Sequence, residues 1–290
     1  MQDASKPIWV NEDTYQVIKD KQSTSKLEIA KPRYCIMVAT PVHSEVSMHY
    51  MQACLEFQKQ CIKHNINVCF QIMKSSLVTQ GRNLCVSSFL QMKDATHLLF
   101  IDSDIDFTFK SIMAMLHADK DVISVPYPLK TINWEKSMSY IKDNKIHNAK
   151  DLEKSTLMYP IKLPNNNDIQ VQKGITEVTH SPTGCMLIKK SVFDKMIEAY
   201  PHLEIKQKTV INGQLKDREF MYNFFDTEFN QEDKTYLGED FAFCRKWRNI
   251  GGKCYAYIDE YITHVGEHQY CGRLRDELIS PDIDNYQKGK

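Results

Sequence analysis

The run His97-Leu98-Leu99-Phe100-Ile101-Asp102-Ser103-Asp104-Ile105-Asp106-Phe107 passes abruptly from continuous apolar character into alternating carboxylates. Residues two apart on an extended chain project to the same side, so Asp102 and Asp104 are expected to converge. Two ionised carboxylates brought together in a partly dry site repel, and one is driven to take up a proton unless a cation intervenes. A hard divalent ion, Mn²⁺ or Mg²⁺, removes that conflict. It prefers oxygen ligands and commonly binds through one or two carboxylates plus the phosphates of a substrate. An Asp-x-Asp-x-Asp run also opens a calcium-binding EF-hand loop, but that loop needs glycine and glutamate where this chain has Phe107 and Met113. A solvated acidic turn is the remaining plain reading of the motif.

Such carboxylates need rigid elements behind them. Residues 34–40 form an apolar run that predicts a first strand ended by Pro41, which cannot donate to a sheet ladder. From Ser44, a candidate N-cap, Met51, Cys54, Leu55, Cys61 and Ile62 recur at helical spacing, with Gln58 the weak position. A strand over 67–73, then Gly81-Arg82-Asn83 and a helix over 84–92, lead into the apolar strand over 97–101. Three strand-helix alternations indicate an α/β fold: one Rossmann-like domain over 32–290 with a mostly parallel central sheet flanked by helices. A helix over 111–117 and strands over 122–125 and 184–188 continue it, with helices over 192–200 and 239–249, the last capped by Gly251. Two irregular insertions, about 131–175 and 201–235, interrupt the alternation. The first holds Pro164-Asn165-Asn166-Asn167-Asp168 and reads as loop or hairpin. Irregular loops on a rigid sheet are where substrate selection usually sits. Residues 1–31 are polar, with Trp9 the only large anchor, and read as an N-terminal arm.

The order of these pieces resembles the GT-A glycosyltransferases. The landmarks are Ala39-Thr40-Pro41, Gln80-Gly81-Arg82-Asn83, Asp102-Ser103-Asp104 and Val122-Ile123-Ser124-Val125-Pro126-Tyr127-Pro128-Leu129-Lys130. They continue with Ser181-Pro182-Thr183-Gly184-Cys185-Met186-Leu187-Ile188, Gly238-Glu239-Asp240 and His264-Val265-Gly266. The resemblance implies that Asp102 and Asp104 bind the metal bridging the donor's diphosphate, with Ser103 between them, and that His264 completes the metal shell. It implies that Asp240 is the catalytic base of an inverting transfer and that Thr183-Gly184 lines the acceptor and donor sugar. Thr40, Pro41 and Arg82 would surround the nucleotide.

The chemistry suits these residue types on its own terms. A leaving diphosphate gains negative charge, which a metal and Arg82 or Lys130 would stabilise. An acceptor hydroxyl must lose a proton, and the dipole at a helix start favours an ionised carboxylate there, so Asp240 suits the role. Glu239, one residue round the helix, points about 100° away and is a candidate for binding acceptor hydroxyls. Taken singly, Glu239 and Asp240 also read as ordinary helix-opening acids, His264 as a structural histidine, Arg82 as a surface charge and Gly184 as an aid to backbone packing. The donor implied is a UDP- or GDP-linked sugar, and the acceptor a glycan, protein or lipid. A sugar-1-phosphate nucleotidyltransferase is the main alternative. It is weakened because Ala39-Thr40-Pro41-Val42-His43 stands where a glycine-rich phosphate loop with following basic residues would be. A non-catalytic nucleotide- or glycan-binding module is the other.

Composition sets the outer limits. Lysine plus arginine equals aspartate plus glutamate at 37 each, so no global field favours nucleic acid or an anionic membrane. No apolar run approaches the roughly 20 residues that span a bilayer, and the chain reads as cytoplasmic. Nine cysteines without a CxxC pair predict free, mostly buried thiols. The spacing of Cys61, His64 and Cys69 matches no common zinc module.

Overall fold

The computed structural model describes residues 33–164, 169–211, 214–229, 231, 234–266 and 269–275. By contact the chain divides after Arg33 into two units, and the second, Tyr34–Lys290, carries the elements below. The polar stretch 1–31 and Asn165–Asp168 lie outside the described residues.

Strand β1 (Cys35–Val42) carries a buried CIMVATPV segment. Contrary to the expectation from its ring, Pro41 does not end it. Pairing with β2 (Asn67–Lys74) continues through Pro41 and Val42, whereas pairing with β3 (His97–Ile101) stops at Ala39. Beyond Ala39 the strand has a neighbour on one side only, where a missing N–H is tolerated. Helix α1 (Met48–Lys63) starts later than Ser44, because Ser47 Oγ accepts from the Tyr50 N–H and caps it. Its buried stripe is Tyr50, Ala53, Cys54, Phe57 and Cys61, so Met51, Leu55 and Ile62, read from sequence as part of the apolar face, point outward. Helix α2 (Val78–Gln91) starts earlier than predicted and takes Gly81, Arg82 and Asn83 into its first turns.

After β3 come β4 (Ile105–Asp106), α3 (Phe109–Ala118) and β5 (Val122–Ser124). The first insertion is more than loop, although it does end in a hairpin of Val171–Gln172 with Ile175–Val178, and the asparagine run lies outside the described residues. The insertion folds into α4 (Trp134–Lys142) and α5 (Ala149–Ser155), whose N-caps are the side chains of Asn133 and Asn148. The asparagines that suggest loop are in part helix caps. Strands β6 (Val171–Gln172), β7 (Ile175–Val178) and β8 (Cys185–Lys189) follow, then α6 (Lys190–Ala199). The second insertion carries the antiparallel pairs β9 (Lys208–Ile211) with β10 (Gln214–Asp217), and β11 (Glu228–Phe229) with β12 (Tyr236–Leu237). Helix α7 (Glu239–Asn249) has its predicted bounds, with Gly251 at φ 87° just beyond it. Strands β13 (Cys254–Tyr257), β14 (Ile262–His264) and β15 (Tyr270–Gly272) complete the described chain.

The main sheet has the order β2-β1-β3-β8-β5-β13-β7-β6. Following the pairings, β8 and β7 run against the other strands, so the sheet is mixed but mostly parallel. Along β3 the side chains alternate between two cores. Leu98 and Phe100 pack with Phe89, Phe193 and Phe243 of α2, α6 and α7, while Leu99 and Ile101 pack with Phe57, Ile112 and Met115 of α1 and α3. Helices thus cover both faces, and the protein is an α/β, Rossmann-like domain. All nine cysteines are free, and all but Cys35, Cys69 and Cys271 are buried. Among the described residues no helix is long and apolar enough to cross a membrane.

Candidate active site

The carboxyl ends of β1 and β3 open on one edge of the sheet. Because β8 runs the other way beside β3, with Ile101 opposite Cys185, its first residues meet the last residues of β3. The Asp102 N–H donates to Gly184 O at 3.0 Å, and the Ile105 N–H returns to Asp102 O at 3.1 Å, closing a turn. The same turn is tied at two further points. Ser103 O accepts from the N–H of Ser47, the cap of α1, at 2.8 Å, and Asp104 O accepts from the Val265 N–H at 2.7 Å. Asp102-Ser103-Asp104 is therefore held by three separate elements rather than being a solvated loop.

Strand pairing also explains how His264 reaches this turn. β4 pairs antiparallel with β14, placing His264 opposite Ile105. His264 Nε2 faces Asp104 Oδ2 at 3.3 Å, and Lys130 Nζ donates to the same oxygen at 2.5 Å. Burial alone would raise the Asp104 carboxyl, but its bonds to His264 and Lys130 outweigh that and hold it at about 2. His264 Nδ1 lies 2.9 Å from Pro128 O. A carbonyl can only accept, so Nδ1 carries the hydrogen and Nε2 is the atom turned to Asp104.

Asp102 faces a different cation. Arg82, buried in α2, pairs its Nη2 with Asp102, 3.0 Å from Oδ1 and donating to Oδ2 at 3.3 Å, and donates from Nε to Glu239 Oε1 at 3.1 Å. Burial works against the guanidinium charge, but Asp102 and Glu239 more than offset it and raise the pKa of Arg82. Arg82 is thus no surface charge. Glu239 is its partner, and no acceptor-binding role is needed to explain that side chain. The carboxylates of Asp102 and Asp104 accordingly turn to different cations instead of onto one shared point. Among the described residues no three His, Cys, Asp or Glu side chains gather as a metal site.

Asp240 sits beside Glu239 in the first turn of α7. Its Oδ1 accepts from the Phe241 N–H at 2.7 Å. Burial first, then the charge of Glu239, push its pKa up to about 6 against the pull of the Phe241 N–H and Arg82. Desolvation outweighs the helix dipole that would favour its charge, so its proton affinity rises although it stays mostly ionised near neutrality.

Thr40 is fully buried, its hydroxyl 2.6 Å from Tyr50 Oη, and the neighbouring Pro41 packs against Gly81 of α2. A Cβ on Gly184 would fall 2.6 Å from the ring and hydroxyl of Tyr127, so the glycine is required for this close approach. Tyr127 is the residue that sequence reasoning missed. It is 9% exposed, its ring meets His264 edge-on with centroids 4.9 Å apart, and burial followed by the charge of Asp102 raises its phenol well above the ordinary value. Asp240 and Asp104 also act on that phenol. Its flanking prolines, Pro126 and Pro128, were the available signal, since each fixes the backbone that carries it.

No protein-family model matches the sequence, and no curated protein matches it. Among solved structures, A197 from STIV is similar over 80% of this chain and 86% of its own, at 18% identity and a TM-score of 0.42. The 4-diphosphocytidyl-2C-methyl-D-erythritol synthase of Anaerococcus prevotii is similar over 74% and 99%, at 12% identity and a TM-score of 0.29. HddC from Yersinia pseudotuberculosis is similar over 58% and 80%, at 14% identity and a TM-score of 0.26. Likeness at this level concerns the fold alone.

Proposed function

We propose that the chain is a GT-A-type glycosyltransferase that moves a sugar from a UDP- or GDP-linked donor to an acceptor hydroxyl on a glycan, protein or lipid, with inversion, and that it uses Mn²⁺ or Mg²⁺. The observation that carries this reading is the meeting of Asp104, His264 and Lys130 at the carboxyl end of β3, with the proton-accepting Asp240 at the start of α7. The residues fit a metal: with Nδ1 engaged by Pro128 O, His264 Nε2 faces the Asp104 carboxylate, and the place between them calls for a proton or a cation. Asp104 and His264 would hold the ion, with Asp102 next to them in the same turn. Such an ion accepts two protein ligands when substrate phosphates supply the rest.

When bound, the ion would neutralise charge developing on the leaving diphosphate. Lys130, partly exposed on Asp104, is placed to move onto the same phosphates. Arg82 is buried and acts by holding Asp102 and Glu239. Asp240 accepts the proton of the acceptor hydroxyl, and a carboxyl that titrates at about 6 is largely ionised yet basic enough near neutrality. Tyr127 excludes water between the donor and acceptor sides.

Incubation with a panel of UDP- and GDP-sugars and Mn²⁺ should release the nucleoside diphosphate. Proton NMR of the transferred sugar should show the anomeric configuration opposite to that of the donor. Release of pyrophosphate from a nucleoside triphosphate and a sugar-1-phosphate, with no turnover of nucleotide-sugars, would replace this reading by nucleotidyl transfer.

A further inference from the structure

Helix α2 enters the site against the end of β1. A Cβ on Gly81 would lie 3.0 Å from Pro41 Cβ and 3.2 Å from Ser75 Cβ, so the helix approaches as closely as its backbone allows. One residue on, Arg82 is carried inward until its side chain is only 3% exposed. A buried charge survives only when paired. The pairing here is divided between elements far apart in sequence: Nη2 meets Asp102 after β3, and Nε meets Glu239 at the head of α7. The guanidinium carbon lies 5.2 Å from the centroid of the Phe100 ring, and Nη1 is buried with no hydrogen-bond partner among the described atoms. Two nitrogens of one planar guanidinium are thus committed to two carboxylates, which a lysine ammonium, a single point charge, cannot reproduce.

The consequence falls on Asp240. Glu239 and Asp240 are adjacent acids at one helix terminus, and two like charges in a partly dry place compete for one proton. Glu239 has the guanidinium, whereas Asp240 has a bond from the Phe241 N–H. We propose that Arg82 is a positioning residue that divides the labour between these two acids: by tying Glu239 to Asp102 through one buried guanidinium, it leaves Asp240 as the carboxylate that takes up and returns a proton. The charged groups facing Asp240 support this assignment. Glu239 raises its proton affinity, Arg82 and the Phe241 amide lower it, and the Tyr127 phenol lies within its field. The identity of the proton's source rests on the transferase reading, but the division of labour does not.

The test is ¹³C NMR titration of the free, full-length protein labelled at the aspartate side-chain carboxyl, with Asp240→Asn to assign the Asp240 resonance. No substrate is involved. In the wild type this resonance should titrate near pH 6. In Glu239→Gln, which keeps the shape and an acceptor for Arg82 Nε, the midpoint should fall by about one unit or more as the like charge is removed. In Arg82→Lys, which retains the charge but cannot span both partners, it should rise and kcat should fall while donor KM changes little. Arg82→Gln, which removes the charge but keeps an amide donor, should also raise the midpoint, and it keeps the test decisive if Arg82→Lys folds poorly. Midpoints unchanged in every folded variant, or a resonance near pH 6 that persists in Asp240→Asn, would overturn the assignment of Arg82. Shifted midpoints in a protein that turns over no nucleotide-sugar would retain it and discard the transferase reading. Turnover with unmoved midpoints would do the reverse.

Discussion

His264 Nε2 faces Asp104 Oδ2 at 3.3 Å although Asp104 lies in the turn after β3 and His264 on β14, because the β4–β14 ladder brings His264 opposite Ile105. The ring's one hydrogen in the neutral form is used on Pro128 O, so a proton or a metal ion must stand between Nε2 and the carboxylate. If a metal takes that place, UDP or GDP affinity measured by calorimetry should rise with Mn²⁺ in the wild type. His264→Ala and Asp104→Asn should each lose at least about tenfold of that rise, equivalent to about 1.4 kcal/mol. Lys130→Ala should change the two affinities in opposite senses. Mn²⁺ alone binds more tightly once the ammonium leaves Asp104, while the diphosphate binds more weakly. Full Mn²⁺ enhancement in His264→Ala would exclude the pair as the ion's site.

A second prediction concerns pH. The folded-state pKa of Asp240 is about 6 against an ordinary 3.8, so between those values the folded protein holds more of this proton than the unfolded chain does. Asp240 therefore costs stability as pH rises through that window, and the cost persists above it. Asp240→Asn should be the more stable protein at pH 8, by about 1–3 kcal/mol, with the difference shrinking below pH 4. Its transfer rate should fall by about 10² to 10⁴. In the wild type, kcat/KM should decline as pH drops through about 6. Thermal melts across pH check the first part and steady-state kinetics the second. A melting temperature that stays below wild type throughout would show that Asp240 is a structural acid.

What the sequence discloses here depends on how local each cause is. β3 and α7 could be bounded closely because an unbroken apolar run and the Gly238-Glu239-Asp240 and Gly251 flanks are local signals. The start of α1 could not, since Ser44 and Ser47 are equally good caps by type and only the tie from Ser47 to Ser103 selects the second. Asp102 and Asp104 were legible as a pair of acids, but not as acids turned to different cations. That depends on α2 and β14, which arrive from distant parts of the chain. Tyr127 is fixed by contacts with Gly184 and His264 that no spacing reveals.

The Gly184–Tyr127 approach gives a third prediction. A Cβ at 184 would overlap the buried phenol ring, so the ring must shift. Gly184→Ala should cost about 1–3 kcal/mol, as overpacking generally does, and should reduce transfer. The loss should be mostly absent when Tyr127→Ala is already present, because the ring it strikes is gone. Urea denaturation of the four proteins in a double-mutant cycle measures this coupling. Additive losses would mean that the alanine is resisted by something other than Tyr127.

The last prediction concerns how the second insertion is held beside the site. Asn83 stands next to Arg82 on α2. Its Oδ1 accepts from the Phe225 N–H at 2.9 Å, and its Nδ2 donates to Phe225 O and to Asn223 Oδ1, both at 3.0 Å. One turn further, Ser87 Oγ donates to Glu219 O, and Arg218 reaches back to Ser87, Ser88 and Leu84 O. The helix that presents Arg82 to Asp102 and Glu239 therefore also fastens residues 218–225, and Phe225 stacks on Phe243 of α7 with centroids 4.4 Å apart. Asn83→Ala leaves the buried Phe225 N–H without its acceptor, which should cost about 1–3 kcal/mol. The loss should be local before it is global, with hydrogen exchange accelerating at 218–226 and in the first turn of α7 while β1 and β3 stay protected. Because α7 begins with Glu239 and Asp240, kcat should fall in Asn83→Ala more than nucleotide affinity does. Uniform acceleration of exchange across the whole sheet, with kcat and affinity reduced together, would show that Asn83 supports the fold as a whole instead of tethering this segment to the site.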